Sequence, residues 1–398
     1  MFLAGNQRLI RHANRLAILR EVRREPGISR SGLAARTGLT RTAIGRLVDG
    51  LCAEGWLCEG PRQVAPGVGR RPTPLTFDGF RRVLLGAHLD GERSRLVATT
   101  LGGEVLEFSA SPVDGYAGPQ ALVVLVEQVA ALRLRLRAEG RQICGLGVAV
   151  PDLVLRHAGL RPPDGAVMPS GPSLRERLGS ALRGQGIVDL PVMVERAINC
   201  VALHHAETLS AAGGHGAALY LHVGEDVAAA VMHGDALMRG RLGLAGHVAH
   251  QTLDVNGPLC SCGRPGCAQA LLGLEALRRE LGLPRLLSAP ALQTELRSRL
   301  QAGHELTRAA LTGLAGHLGR LLFNLARVHA PDVIHVGGAI FVPGFDPLEE
   351  ARRRLEGLYQ GEPSPRLQAM RSDAQAVAQG AASVMLREML EGPACAPA

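Results

Sequence analysis

Apolar residues recur at helical spacing in "RLIRHANRLAILREVRRE", where Leu9, Ile10, Ala13, Leu16, Ala17 and Leu19 fall three and four apart. This predicts an amphipathic helix with that set as its buried stripe, stopped by the "EPGI" that follows. The next segment, "SRSGLAARTGLTRTAIGRLVDGLCAEGWL", predicts a helix, a tight turn and a second helix. Ser29 or Ser31 can cap the first helix and Gly38 supplies the turn. Thr40 caps the second, whose core face is Ile44, Leu47, Val48 and Leu51. Two short apolar runs around a Gly, Pro and Arg-rich loop, "GWLCEGPRQVAPGVGRRPTPLTF", then predict a β-hairpin wing. Residues 1–78 therefore read as a winged helix-turn-helix domain.

After Pro74 the pattern changes to strands alternating with helices. "RVLLGAHLDGERSRLVATTLGGEVLEFSA" predicts two or three strands joined by glycine turns, followed by the helix "PQALVVLVEQVAALRLRLRAEG" and the strand "ICGLGVAVPDLV". "LPVMVERAINCVALHHAETL" predicts a strand entering a helix, and "GAALYLHVGEDVAAAVMHGDAL" a strand pair. Near the end, "LTRAALTGLAGHLGRLLFNLARVHAPDVIHVGGAI" predicts a helix feeding a strand. The expected fold class is α/β: a winged helix-turn-helix followed by two similar lobes, with ligands at strand C-terminal ends between them. The lobes are expected over 79–194, with a C-terminal helix near 375–391 returning to it, and over 195–374.

Composition narrows the function. No run of about 18 apolar residues marks a membrane span, and the N-terminus lacks the continuous apolar region of a secretory leader. The chain is expected in the cytoplasm. All 44 basic residues are Arg, which with the Ala, Gly and Pro richness reflects genomic base composition. Their placement is informative: residues 1–80 hold thirteen Arg against six Asp or Glu, which is +7 of the overall +8. The first domain is thus expected to meet a polyanion. In a winged helix the second helix enters the major groove with its leading residues towards base edges. Here those are Thr40, Arg41, Thr42 and Arg46, with Arg70 and Arg71 of the wing reaching a backbone or minor groove.

Three of the eight cysteines crowd into "CSCGRPGC" as Cys260, Cys262 and Cys267, while Cys52, Cys58, Cys144, Cys200 and Cys395 are scattered. That is a metal loop, not a disulfide framework. Three thiolates and one imidazole favour structural zinc, closed to water. By spacing alone either His247 or His250 can supply the imidazole.

The order of "LGAHLDGE", "GVAVP", "PVMVERAINCVAL", "LYLHVGE", "GHVAH", "CSCGRPGC" and "IHVGGAI" after a winged domain resembles the ROK family, in its repressor branch. The resemblance covers essentially the whole chain. It implies zinc held by His247, Cys260, Cys262 and Cys267 in a loop spanning 247–267, and a homodimer or tetramer on an operator of double-stranded DNA. It also implies which enzyme parts are missing. The catalytic Asp of the kinases falls on Ala197 of "ERAIN", and a methyl accepts no proton. The two phosphate loops become "HLDGE", with His88 and Asp90, and "GEDVAAA", where only Gly224 is kept. "VGGAI", residues 336–340, alone resembles the adenosine motif.

The sugar-binding positions fall on Arg196, Ala197, Leu244, His247 and Gln269, flanked by Glu195 and Asn199. Leu244 and Ala197 cannot bind a hydroxyl, and a charged Arg196 favours a carboxylate or phosphate unless it simply faces solvent. The expected function is a DNA-binding regulator, a repressor with a catalytically dead ROK domain and an effector, if any, that is not a plain hexose. The alternatives are a sugar kinase with an appended DNA-binding domain, and a constitutive or partner-controlled DNA-binding protein.

Overall fold

The computed structural model describes residues 7–61, 73–113, 118–151, 173–210, 216–240, 243–370 and 374–391. It divides into two compact units. One comprises the described residues within Met1–Ala149, Pro172–Glu195 and Ala381–Ala398, the other those within Val150–Gly171 and Arg196–Gly380.

The first unit opens with α1 (Gln7–Arg24), α2 (Arg30–Thr37) and α3 (Arg41–Ala53). Ser29 caps α2 by accepting from the Gly32 amide at 3.1 Å, and Thr40 caps α3 by accepting from the Ala43 amide at 3.2 Å. Gly38 ends α2 in the left-handed conformation, φ 70°, that an L side chain resists. Ile44, Val48 and Leu51 are buried as expected, and Leu47 packs partly against them. The stripe of α1 differs from the expected one: Ile18, Leu19 and Val22 are buried, whereas Ile10 and Ala13 are exposed. Among the α1 residues whose burial is described, the buried ones lie in its second half, so the expected stripe holds at Leu19 and in part at Leu16 and fails at Ile10 and Ala13. The wing pairs β1 (Leu57–Glu59) antiparallel with β2 (Leu75–Phe77).

The sheet of this unit comprises β3 (Arg82–Leu89), β4 (Arg93–Thr100), β5 (Val105–Pro112), β6 (Gln142–Val150) and β7 (Val192–Arg196), in the order β5-β4-β3-β6-β7. Helices α4 (Pro119–Ala138) and α5 (Leu174–Gly184) accompany it. The next helix, α6 (Ala197–Ser210), begins where β7 ends.

In the second unit, β8 (Ala217–Val223), β9 (Val227–His233), β10 (Ala236–Leu237), β11 (Val333–Gly337) and β12 (Arg366–Ala369) take the order β10-β9-β8-β11-β12. Each sheet thus has an antiparallel meander whose first strand pairs in parallel with a later one. The two-lobed α/β expectation holds in this shared topology. Helices α7 (Ala268–Leu272), α8 (Leu274–Glu280), α9 (Ala289–Gln301), α10 (Glu305–His329) and α11 (Pro347–Tyr359) belong to this unit. Its core joins alternate residues of β8 and β11, including Leu219, Leu221, Ile334 and Val336, to Leu311, Leu318 and Leu322 of α10.

The last helix, α12 (Ala374–Glu391), contributes to both units. Its Ala382, Met385, Leu386, Met389 and Leu390 share one buried cluster with Ile18, Leu33, Ile44 and Leu51 of the winged helix. Among the described residues no helix is long and apolar enough to cross a membrane.

Candidate functional site

Thr40, Arg41, Thr42 and Arg46 are all exposed at the leading end of α3, and its first turn carries no acid. Neighbouring arginines are spoken for. Arg30 pairs with Asp49 at 2.7 Å and Glu59 at 2.8 Å, and Arg36 pairs with Glu21 at 3.1 Å and with Glu25. Among the described residues Arg41 and Arg46 make no ion pair, so their charge remains available to a phosphate backbone. Arg70 and Arg71 lie outside the described residues.

The three cysteines come together with His250, not His247. One donor atom from each of His250, Cys260, Cys262 and Cys267 lies within 4.8 Å of every other. Cys262 Sγ is 3.5 Å from Cys267 Sγ, and Cys260 Sγ is 3.6 Å from His250 Nδ1. The cause is backbone pairing. The Gln269 amide donates to Ala249 O at 2.7 Å and the Ala268 amide to Gln251 O at 2.8 Å, which sets His250 beside Cys267. His247 stands three residues earlier, exposed, on the preceding turn. Gly266 closes the loop at φ 61°, where a Cβ would lie 1.4 Å from Asp254 O.

The donor set fits zinc. Tetrahedral sulfurs about 2.3 Å from the metal stand about 3.8 Å apart, close to the spacings found. All three cysteines are buried. Burial pushes the Cys267 thiol up to about 12, helped by Cys262 and Cys260, whereas hydrogen bonds from the Arg264 amide and the other thiols outweigh burial and lower Cys262. A divalent cation at these donors would favour the thiolate forms.

The residues that the family resemblance assigns to a sugar pocket are placed as follows. Arg196 does not face solvent. It is 2% exposed, and its guanidinium donates to Ala245 O at 2.5 Å, Ala229 O at 3.1 Å and Gly246 O at 3.2 Å. Asn199 and Glu195 are buried, and Leu244 is exposed. Gln269 turns inward: its Oε1 accepts from the Val227 amide at 2.9 Å and its Nε2 donates to Glu225 O at 2.7 Å.

The two loops that resemble phosphate loops are closed on themselves. In "HLDGE" the Asp90 carboxylate accepts from the amides of Glu92 at 3.0 Å and Arg93 at 2.8 Å and pairs with Arg95. Burial would raise this carboxyl, but the Arg93 amide and the Arg95 guanidinium hold it below its ordinary value. In "GEDVAAA", Gln269 clamps the backbone while the Glu225 carboxylate takes both terminal nitrogens of buried Arg278. The retained Gly337–Gly338 pair has a packing cause: at φ 116° a Cβ on Gly338 would lie 2.1 Å from Val223 O.

The Glu225–Arg278 pair has no sequence signal, because its residues stand 53 apart with no shared motif. The burial of Arg196 has none either: in "PVMVERAIN" it stands between Glu195 and Ala197, and apolar residues occupy both faces of the strand.

The ROK family matches residues 116–388 and the MarR family residues 12–71. A xylose repressor of Caldicellulosiruptor bescii is 24% identical over 98% of this chain and 99% of its own length. A ROK family transcriptional regulator, described as a homologue of the E. coli MLC protein, superposes with a TM-score of 0.66 at 20% identity, covering 96% of each chain. A ROK hexokinase from Thermus thermophilus superposes with a TM-score of 0.59 at 25% identity, covering 77% of this chain and 99% of that one.

Proposed function

Since the chain belongs to the ROK family, we propose that it is a DNA-binding transcriptional repressor whose ROK domain phosphorylates no sugar. One observation carries this reading: Thr40, Arg41, Thr42 and Arg46 stand exposed on the leading end of α3, with neither arginine ion-paired among the described residues. This is the end of a recognition helix that reads base edges. The match of residues 12–71 to the MarR family and the repressors among the relatives support it. In this reading residues 1–78 bind DNA, and 79–194 and 195–374 form the lobes of the ROK domain. Loss of kinase activity is supported by Ala197 at the base position and by the closed loops at Asp90 and Glu225.

In this reading His250, Cys260, Cys262 and Cys267, whose donor atoms lie together, would hold a structural zinc ion. Bound there, zinc would tie the 247–267 loop together and supply no chemistry, because four protein donors would leave no position for water. The protein works in the cytoplasm as a homodimer or tetramer, presenting two recognition helices to a pseudo-palindromic operator. Repressor activity is carried over from the relatives, but their sugar is not. Arg196 favours a second reading of the control step, in which no sugar is sensed and the protein binds DNA constitutively or under a protein partner.

The test is selection of bound fragments from genomic DNA, followed by fluorescence anisotropy on the selected sequence. Specific, salt-dependent binding by the parent chain and its loss with Arg41→Ala and Arg46→Ala support the reading. Absence of any preferred sequence would overturn it.

A further inference from the structure

Arg196 ends β7, and its side chain is among the largest fully buried ones in the chain. Carbonyls that it donates to belong to two separate segments: Ala229 in β9, and Ala245 with Gly246 in the turn that leads to the metal cluster. These segments are also joined directly, because the Ala229 amide donates to Gly246 O at 3.0 Å. Four residues beyond Gly246 stands His250, a member of the cluster.

The chemistry of this position is specific. Three carbonyl oxygens converge on it, and carbonyls only accept. A planar guanidinium, with five N–H donors in a rigid fork, matches several acceptors around its rim. A sugar hydroxyl needs acceptors and donors together, and an ammonium is a compact point charge that cannot span the same acceptors.

We propose that Arg196 is a resident ligand: its guanidinium fills the polar position between β9 and the 245–246 turn and pins the segment carrying His250. That position consequently admits no diffusible sugar, and when the side chain is cut back it admits a small planar cation of the guanidinium class. Arg196 acts as a positioning residue for the metal loop, doing from within the chain what a bound molecule would otherwise do. This goes beyond the repressor reading and does not depend on it, because its test uses no DNA.

Backbone amide hydrogen exchange, read by mass spectrometry on peptides spanning 228–251 of the full chain, provides the test. Arg196→Met keeps the bulk without the donors, and Arg196→Ala opens the position. Both should exchange at least about tenfold faster in these peptides than the parent, as expected for loss of hydrogen bonds to a charged group. Methylguanidinium chloride at millimolar concentration should slow Arg196→Ala towards the parent and leave Arg196→Met unchanged, while methylammonium chloride should do nothing. If Arg196→Ala does not fold in plain buffer, its recovery on refolding with methylguanidinium is the same rescue. The proposal is overturned by parent-like exchange in Arg196→Met, by no response or an equal response to the two cations, or by protection of the parent's peptides with glucose or xylose.

Discussion

Arg20 Nε donates to the backbone carbonyl of Leu390 at 2.9 Å, joining residues 370 positions apart. The bond fastens α1 to α12 where Met385, Met389 and Leu390 complete the winged-helix core. Leu390 is 1% exposed, so Leu390→Ala should cost about 2–5 kcal/mol, as large-to-small changes in cores do. Trp56, the only tryptophan, lies in the winged domain with the Arg82 guanidinium carbon 4.1 Å from its ring centre. Its fluorescence in urea should therefore report an earlier transition for Leu390→Ala. An unchanged Trp56 transition would mean that the two segments do not share a core.

DNA binding should separate the arginines by their partners. Arg41→Ala and Arg46→Ala should each weaken operator binding. Removing one phosphate-binding charge should also flatten the dependence of log affinity on log salt by about 0.9. Arg36→Ala should leave both near the parent, because Glu21 and Glu25 already balance that guanidinium. Titrations at several salt concentrations distinguish the two classes.

The metal centre makes a contrast between two histidines three residues apart. Zinc content and resistance to a chromogenic chelator should fall sharply in His250→Ala and stay near the parent in His247→Ala. Stripping zinc from the parent should raise hydrogen exchange across 247–267 with little change in the winged domain. Equal zinc loss in both variants would return His247 to the coordination sphere.

That contrast shows where the sequence stops informing. Helix caps at Ser29 and Thr40, the turn at Gly38 and the pairing of β1 with β2 are local chemistry, so they are legible from short stretches. The cysteine cluster is legible because its spacing is itself the geometry. The choice between His247 and His250 is not, because it depends on pairing between 249–251 and 267–269, a contact made only once the chain has folded. Arg196 misleads for a related reason. Its residue type indicates charge, but only the convergence of Ala229, Ala245 and Gly246 carbonyls reveals that a buried site awaits it.

Acid should act through Asp90. The Arg93 and Glu92 amides and Arg95 hold this carboxyl below its ordinary value in the folded state, against the effect of burial. A depressed folded value means that Asp90 contributes stability above its unfolded value of about 3.9 and loses it as pH falls through the folded one. Asp90→Ala should thus be less stable than the parent at pH 7, with the gap closing progressively below about pH 4. Urea midpoints measured from neutral to acid pH check the sign; a gap that widens in acid would contradict it.

Placing a carboxylate at Ala197 should not produce a kinase. A positioned general base is worth about 10²–10⁴ in rate, so Ala197→Asp would expose even a small surviving activity if the phosphates were still cradled. The cradle requires free backbone amides at the glycine-poor loop 224–230. There the Val227 amide is taken by Gln269, and the Glu225 carboxylate is fixed on Arg278. Asp90 adds a second carboxylate in the other loop, folded into its own turn. Phosphoryl transfer depends chiefly on charge stabilisation, so a restored base alone has nothing to act on. Coupled assays of ADP release with glucose and with xylose should find parent and Ala197→Asp alike at background. Turnover in the variant alone would mean that Ala197 was the sole lesion and that both loops open when nucleotide arrives.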